Sequence, residues 1–140
     1  GLSVAIVVTF IALFFTQINI KFPLMTLFVI IMTAGVFSLA GLINAIFAKK
    51  FDDIAVIPSF VLAPLTYLGG VFYTVNLLPE FWQTVSKFNP ILYMINSMRY
   101  SVIGISDVSI QSALMMIIIF FIILFSSAVI LLKKGIGIRQ

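Results

Sequence analysis

The sequence has no cysteine and no histidine, and charged residues make up only 9% of its 140 positions. Without cysteine there are no disulfides or thiolates, and without histidine the commonest metal ligand and proton shuttle is missing. These absences weigh against most classes of enzyme. Hydrophobic residues account for 63% of the chain, well above the roughly 45–50% of soluble domains. The composition indicates an integral membrane protein.

The apolar segments are continuous rather than alternating, which predicts membrane-spanning α-helices. Because a span needs about 20 apolar residues, four segments qualify or nearly qualify. They are residues 2–15, 24–48, 54–73 and 110–132. The expected fold is an all-α polytopic helix bundle, with one transmembrane domain over residues 1–140 and no soluble domain.

The chain begins at Gly1, not methionine, and its first apolar run starts at once, without the charged region or cleavage site of a signal peptide. We therefore expect a fragment that lacks an N-terminal part. The net charge is +4, but the basic residues lie at the ends of apolar runs, where they orient helices in a bilayer. Nucleic-acid binding is not expected.

Between the third and fourth apolar segments, the two halves of residues 74–109 are each too short to cross a membrane, so they favour a re-entrant hairpin. If the hairpin enters and leaves on one side, the basic residues divide five against three between the two faces. The larger group is Lys49, Lys50, Lys133, Lys134 and Arg139, and the smaller is Lys21, Lys87 and Arg99. The positive-inside rule then makes the first face, and with it the C-terminus, cytoplasmic.

Local signals place this hairpin at about residues 78–103. Pro79 suits the first turn of a short helix, where a missing N–H is harmless. Asn89 caps free backbone donors and Pro90 suits a first helical position, so a second short helix is predicted to start there. Arg99, in that second helix, is expected to pair with Glu80 or Asp107.

The third apolar segment contains residues that weaken a helix. Pro58 and Pro64 interrupt it, and Gly69 with Gly70 weakens its outer end, since in a helix glycine costs about 1 kcal/mol and proline about 3 kcal/mol relative to alanine. A tolerated kink and a functional hinge fit this pattern equally well.

In the second apolar segment small residues recur at spacings of four, three and four, so they share one helical face. They are Ala34, Ser38, Gly41 and Ala45. Because small residues let helices approach closely in lipid, this face is predicted to pack against a neighbouring helix of the same chain or to form a dimer or gating interface. Asn44 is expected to make an interhelical hydrogen bond rather than to bind substrate.

The tight loop after this segment carries Lys49, Lys50, Asp52 and Asp53. Paired carboxylates can split their pKa values, as in aspartyl proteases, but these two are sequence neighbours beside lysines. We expect a solvated charge cluster, with contact to a cytoplasmic partner as the functional alternative.

None of the four apolar segments contains Asp, Glu, Lys or Arg. Ion-coupled transporters usually place such groups inside the bundle, so either those groups lie elsewhere in the protein or the energy comes from another source. The chain also has no phosphate-binding G-x-x-x-x-G-K-[ST] motif. Any ATP hydrolysis must belong to a partner, and no catalytic, cofactor-binding or metal-binding residue is assigned in this chain.

An ordered set of residues runs through positions 38–100. The set is Phe51, Asp52, Asp53, Pro64, Leu68, Gly69, Gly70, Phe72, Tyr73, Leu78, Pro79, Phe81, Trp82, Asn89, Pro90 and Tyr93. With this set, the segment resembles the permease subunits of type-2 ATP-binding-cassette (ABC) exporters, especially bacterial inner-membrane permeases related to those that export polysaccharides, nodulation factors and drugs.

This resemblance implies a homodimeric six-span permease of the plasma membrane, of which the chain would hold the third to sixth spans. Each permease would bind a cytoplasmic ATPase subunit that carries ATP and Mg²⁺. The turn at residues 48–54 would make a minor contact with that subunit through Lys49, Lys50, Asp52 and Asp53. The hairpin would cap the pathway. The structural or gating candidates are Pro64, Gly69, Gly70, Pro79, Asn89, Pro90 and Tyr93. No substrate-binding residue is implied.

The alternative function is a fragment of a gradient-driven transporter or a channel. That function requires ionisable or pore-lining polar residues inside the spans. The spans offer Thr9, Thr33, Ser38 and Asn44 instead.

Overall fold

The computed structural model describes residues 1–15 and 19–135, and within these ranges the regular secondary structure is entirely helical. The predicted all-α class is confirmed for this part of the chain. Arg139, one of the basic residues in the charge count, lies outside the described residues, as do residues 16–18 of the first connection.

Seven α-helices are present in the described ranges, together with one π-helical turn and one 3₁₀ turn. In chain order they are α1 (Leu2–Phe15), α2 (Pro23–Phe47), α3 (Phe51–Ile57), the π-helical turn (Pro58–Leu62), α4 (Ala63–Leu68), the 3₁₀ turn (Val75–Leu77), α5 (Glu80–Lys87), α6 (Pro90–Ile103) and α7 (Ile110–Lys133). By length and composition α2 and α7 can each cross a membrane; each is about 36 Å long, against about 30 Å of hydrocarbon.

Helices α2, α6 and α7 pack around a small apolar core. Val36, Met94 and Ile117 form its centre, with partly buried methionine and phenylalanine side chains around them. Gly35 allows α2 to lie close to α7, because a Cβ at this position would be 2.7 Å from Cε2 of Phe121. The packing glycine of α2 is therefore Gly35, which the small-residue spacing did not identify.

The predicted small-residue face of α2 is largely uncovered within the described part of the chain. Ala34 is half-buried, whereas Ser38, Gly41 and Ala45 are exposed. A Cβ at Gly41 would meet nothing within 4 Å. Packing against a neighbouring helix of the described residues therefore does not account for most of this face.

The third apolar segment has different bounds from those predicted. Its helical part begins at Phe51 instead of Ile54, because the Asp53 carboxylate accepts hydrogen bonds from the backbone N–H groups of Lys49 (3.0 Å) and Lys50 (2.9 Å) and so organises an earlier first turn. It ends at Leu68 instead of Tyr73, because the chain turns at the two glycines that follow.

Candidate functional site

The glycine corner, residues 69–74, is the turn between α4 and the short helices. Gly70 has φ +78°, a conformation that costs residues with a side chain about 1–2 kcal/mol. Gly69 serves a different purpose: a Cβ there would lie 2.9 Å from Cδ1 of Ile95 and 3.1 Å from Cγ2 of Ile91. One glycine permits the turn, and the other lets the end of α4 lie directly on α6.

Asn89 connects α6 to this corner. Its Oδ1 accepts a hydrogen bond from the backbone N–H of Ile91 at 3.0 Å, and Pro90 is the first residue of α6. The predicted cap is confirmed. Its Nδ2 also donates to the carbonyl oxygen of Leu65, near the end of α4. The side chain, in a residue only 3% exposed, thus starts one helix and completes the end of another.

An ion pair lies on the other side of the corner. Nη1 of Arg99 is 3.0 Å from Oδ2 of Asp107, so Asp107 and not Glu80 is the partner of Arg99. Nη2 of Arg99 donates to the carbonyl oxygen of Gly70. Oδ2 of Asp107 accepts, at 3.4 Å, from the backbone N–H of Val75. The pair therefore contacts the backbone at both ends of the loop that follows Gly70.

Asn96 holds the connection between α6 and α7 in place. It is fully buried, and its Oδ1 accepts from the backbone N–H of Asp107 at 2.8 Å and from Oγ of Ser106 at 3.3 Å. Its Nδ2 donates to the carbonyl oxygen of Leu92 at 2.9 Å. The side chain fixes the backbone position of Asp107 relative to α6.

The remaining hairpin candidates have structural contacts. The hydroxyl group of Tyr93 donates to the carbonyl oxygen of Lys87 at 2.7 Å, which holds the end of α5 against α6. Pro79 immediately precedes α5, and its carbonyl oxygen accepts from the backbone N–H of Gln83 at 3.1 Å. Both residues stabilise the ends of α5.

At the opposite end of the third apolar segment, Asn44 makes the predicted interhelical hydrogen bond. Its Nδ2 donates to the carbonyl oxygen of Ile54 at 2.9 Å. Ile54 lies four residues before Pro58, which has no N–H to donate to that carbonyl. Asn44 therefore supplies the hydrogen bond that the proline removes.

The prolines of this segment flank a change of helical register. The π-helical turn runs from Pro58 to Leu62, and the backbone N–H of Ala63 donates to the carbonyl oxygen of Pro58, five residues earlier. Pro64 falls in the first turn of α4, where a missing N–H is tolerated. The irregularity predicted at the prolines is thus a π-helical turn between two α-helical pieces.

The charged loop before α3 is ordered around one carboxylate. Lys49, Lys50 and Asp52 are exposed, whereas Asp53 is half-buried and accepts the two lysine N–H groups described above. The loop presents two lysines and one aspartate at the surface. This arrangement suits an electrostatic contact better than acid–base chemistry, since the two carboxylates have separate environments.

Several contacts at the glycine corner were not predicted from the sequence. The bonds from Asn89 to Leu65 and from Arg99 to Gly70 join residues 24 and 29 positions apart. Helical spacing contains no information on such pairs. Among the described residues, no group of three or more His, Cys, Asp or Glu side chains is placed to hold a metal ion.

Comparisons with known proteins give consistent relatives. A family model described as ABC-2 type transporter matches residues 1–103. The protein named inner membrane transport permease YadH is 46% identical over 139 residues in Escherichia coli strain K12, covering 99% of this chain and 54% of the relative. The YadH of Shigella flexneri gives the same figures.

A more distant relative is nodulation protein J of Rhizobium leguminosarum bv. trifolii. It is 28% identical over 76 residues, which cover 54% of this chain and 29% of the relative. The chain spans about half the length of the YadH relatives that it matches. No solved structure matches it.

Proposed function

Because the chain belongs to the ABC-2 type transporter family, we propose that it is part of the permease subunit of an ATP-driven exporter. The permease moves a substrate across the inner membrane, and a separate subunit binds ATP with Mg²⁺ and hydrolyses it. The observation that carries this proposal is the family match over residues 1–103, supported by 46% identity to a transport permease over 139 residues. The four apolar segments contain no Asp, Glu, Lys or Arg, which agrees with energy from a partner subunit rather than from an ion gradient.

In this proposal the chain supplies four spans, the third to sixth of six. They are α1, α2, the rod formed by α3, the π-helical turn and α4, and finally α7. Helices α5 and α6 form a re-entrant hairpin on the outer side. Their 8 and 14 residues give lengths of about 12 and 21 Å, short of about 30 Å of hydrocarbon, and they carry Glu80, Lys87 and Arg99. Helix α1 is as short as α6 but contains no charged residue.

The glycine corner and the Asn89–Pro90 start of α6 set the angle of this outer cap. The observations behind this role are the Gly70 turn, the close approach at Gly69 and the bond from Asn89 to Leu65. Pro64, Pro79 and Tyr93 stabilise the adjoining helix ends. The cap closes the pathway on the side opposite the ATPase.

Two surfaces serve the proposed partners. The exposed face of α2 around Ser38, Gly41 and Ala45 packs against a second copy of the permease, since small residues allow close helix contact in lipid. The loop with exposed Lys49, Lys50 and Asp52 contacts the cytoplasmic ATPase. The C-terminus lies on the same cytoplasmic face.

Co-purification tests the energy source. We expect the whole permease, extracted in mild detergent, to retain an ATPase with a Walker A motif and to stimulate its ATP hydrolysis. Charge reversal of Lys49 and Lys50 is expected to weaken that association, whereas Lys87→Glu, on the hairpin, leaves it unchanged. A permease that purifies without an ATPase and transports substrate in response to an ion gradient would refute the proposal in favour of the gradient-driven alternative.

A further inference from the structure

The ion pair between Arg99 and Asp107 joins three parts of the fold. Arg99 lies on α6, Asp107 lies in the connection that leads into α7, and Gly70 lies at the turn after α4. Arg99 bonds to the carbonyl oxygen of Gly70, and Asp107 accepts from the N–H of Val75. One ion pair therefore holds both ends of the loop at residues 71–74.

Burial makes this arrangement more than a surface contact. The side chains of Asp107 and Arg99 are only 7% and 22% exposed. Charges removed from water are costly unless they are paired and their remaining hydrogen-bonding capacity is used. Here backbone groups of the loop use part of that capacity. The position of the loop and the geometry of the ion pair therefore depend on each other.

The side chain of Val75, which directly follows the loop, is packed against the glycine corner. Val75 is 4% exposed and Leu92 is fully buried, and a Cβ at Gly70 would be 3.3 Å from Cγ2 of Val75. Asn96 adds a second constraint, because its Oδ1 holds the backbone N–H of Asp107. If the ion pair opened, the backbone N–H of Val75 would lose its bond to Asp107, and the Val75 side chain would be free to leave its buried position.

We infer that Arg99 and Asp107 are positioning residues that clamp the glycine corner to the start of α7. With the clamp closed, the corner, the hairpin and α7 move as one body, and Gly70 does not act as a free hinge. The meaning of this motion for transport rests on the proposed function. The clamp itself is a property of the fold, so it is tested without any transport assay.

Labelling of a buried reporter tests the clamp. The whole protein carries Val75→Cys and has any other cysteine replaced. It is treated with a water-soluble maleimide in permeabilised membranes, so that the reagent reaches both faces of the membrane. We expect slow labelling with the ion pair intact. Arg99→Gln and Asp107→Asn should each raise the rate by roughly tenfold or more, because each removes a charge-assisted hydrogen bond.

The double variant separates a clamp from two independent packing effects. Since both residues act through one interaction, labelling of Arg99→Gln with Asp107→Asn should not exceed that of the faster single variant. Arg99→Lys keeps the charge but loses the forked geometry, so its rate should be intermediate. Lys87→Gln, an exposed change on the same hairpin, should label at the parent rate.

Two results would overturn the clamp. One is parent-rate labelling in both neutral variants; the other is a double variant whose rate is the product of the two single effects. If a neutral variant fails to accumulate in membranes, Arg99→Lys and Asp107→Glu support the same comparison with a smaller expected rise. Failure of ATPase association would leave these labelling results unchanged, so the two proposals can fail separately.

Discussion

At the scale of single residues, three asparagine side chains donate hydrogen bonds to backbone carbonyl oxygens. Asn44, Asn89 and Asn96 donate to the carbonyl oxygens of Ile54, Leu65 and Leu92, respectively, and all three asparagines are buried. In a bilayer an unpaired backbone group costs several kcal/mol, because no water replaces the lost bond. Asn44 and Asn89 therefore each join two helices while meeting a need of the backbone. The bond from Asn96 to Leu92 lies within α6, and Asn96 meets such a need through its Oδ1, which accepts from the N–H of Asp107.

Substitutions of Asn89 test how much its two hydrogen bonds contribute to stability. Asn89→Ala removes both the cap and the bond to Leu65, and we expect a loss of about 2 kcal/mol or more. Asn89→Ser keeps an N-cap acceptor for the N–H of Ile91 but cannot donate to Leu65, so its loss should be smaller. Thermal unfolding of the whole protein in detergent, followed by loss of the monodisperse species, measures both.

Asn76→Ala provides the control for this series, because Asn76 is exposed in the same region. It should unfold at the parent temperature. Equal unfolding temperatures for Asn89→Ala and the parent protein would show that neither bond of Asn89 matters for stability.

The start of α6 was predictable, whereas the second role of Asn89 was not. The cap bonds Asn89 to a residue two positions away, and such local geometry follows from residue type. The bond to Leu65 depends on how α4 packs on α6, which is a tertiary property. The same reasoning applies to Arg99: sequence proximity limited its partner to Glu80 or Asp107, and packing determined the choice and added Gly70.

At the scale of elements, side-chain hydrogen bonds hold the rod from α3 to α4 at its two ends. Asn44 holds the α3 end, and Asn89 holds the α4 end. In the π-helical turn between them Phe60 is 76% exposed. Since helices kink at prolines and at π-helical turns, any bending of this rod is expected at the turn rather than at the glycine corner.

A double-mutant cycle tests the link between Asn44 and Pro58. Asn44→Leu leaves the carbonyl of Ile54 without a donor and should cost about 1–3 kcal/mol. Pro58→Ala restores an N–H to that carbonyl, so it should recover part of the lost stability in the Asn44→Leu background. In the parent protein Asn44 already donates to the carbonyl, so Pro58→Ala alone should not give this gain. Unfolding measurements on the four proteins give the coupling, and a coupling of zero would contradict the account.

The same substitution at two glycines of α2, Gly35 and Gly41, compares the face of the helix that packs on α7 with the exposed face. Gly35→Leu places its Cβ against the ring of Phe121, so it should destabilise the fold by about 1–3 kcal/mol through overpacking. Gly41→Leu meets nothing within 4 Å, so the single subunit should remain folded while the proposed dimer weakens. Unfolding and cross-linking in membranes separate the two effects. An intact dimer in Gly41→Leu would remove α2 from the interface.

Helix positions were largely predictable because they depend on apolar length, and α1, α2 and α7 begin and end within about two residues of the predicted bounds. The bounds of the third segment were harder to predict. The Asp53 carboxylate accepts hydrogen bonds that start the helix earlier, and the glycines end it earlier. The packing face of α2 could not be predicted at all. Spacing identifies small residues on one side, but only the position of α7 shows that Gly35 is the contact.

At the scale of the whole molecule, the proposed topology makes a prediction for each connection. Because the chain has no cysteine, single cysteines in it give clear signals once any others in the full protein are replaced. Cysteine at Lys87 should react with an impermeant maleimide in intact spheroplasts. Cysteines at Lys50 and Lys134 should react only after the membrane is permeabilised. Labelling of Lys50 and Lys134 from opposite sides would contradict the re-entrant hairpin.

In the proposed function, the permease exports its substrate with energy from ATP bound to a partner. The most direct measurement is transport by the whole permease and its ATPase in sealed proteoliposomes, with candidate lipids, glycans and drugs as substrates. We predict transport that requires ATP, stops when the ATPase loses its Walker A lysine, and persists when ion gradients are collapsed. Transport that continues without ATP and disappears with the ion gradient would contradict the account.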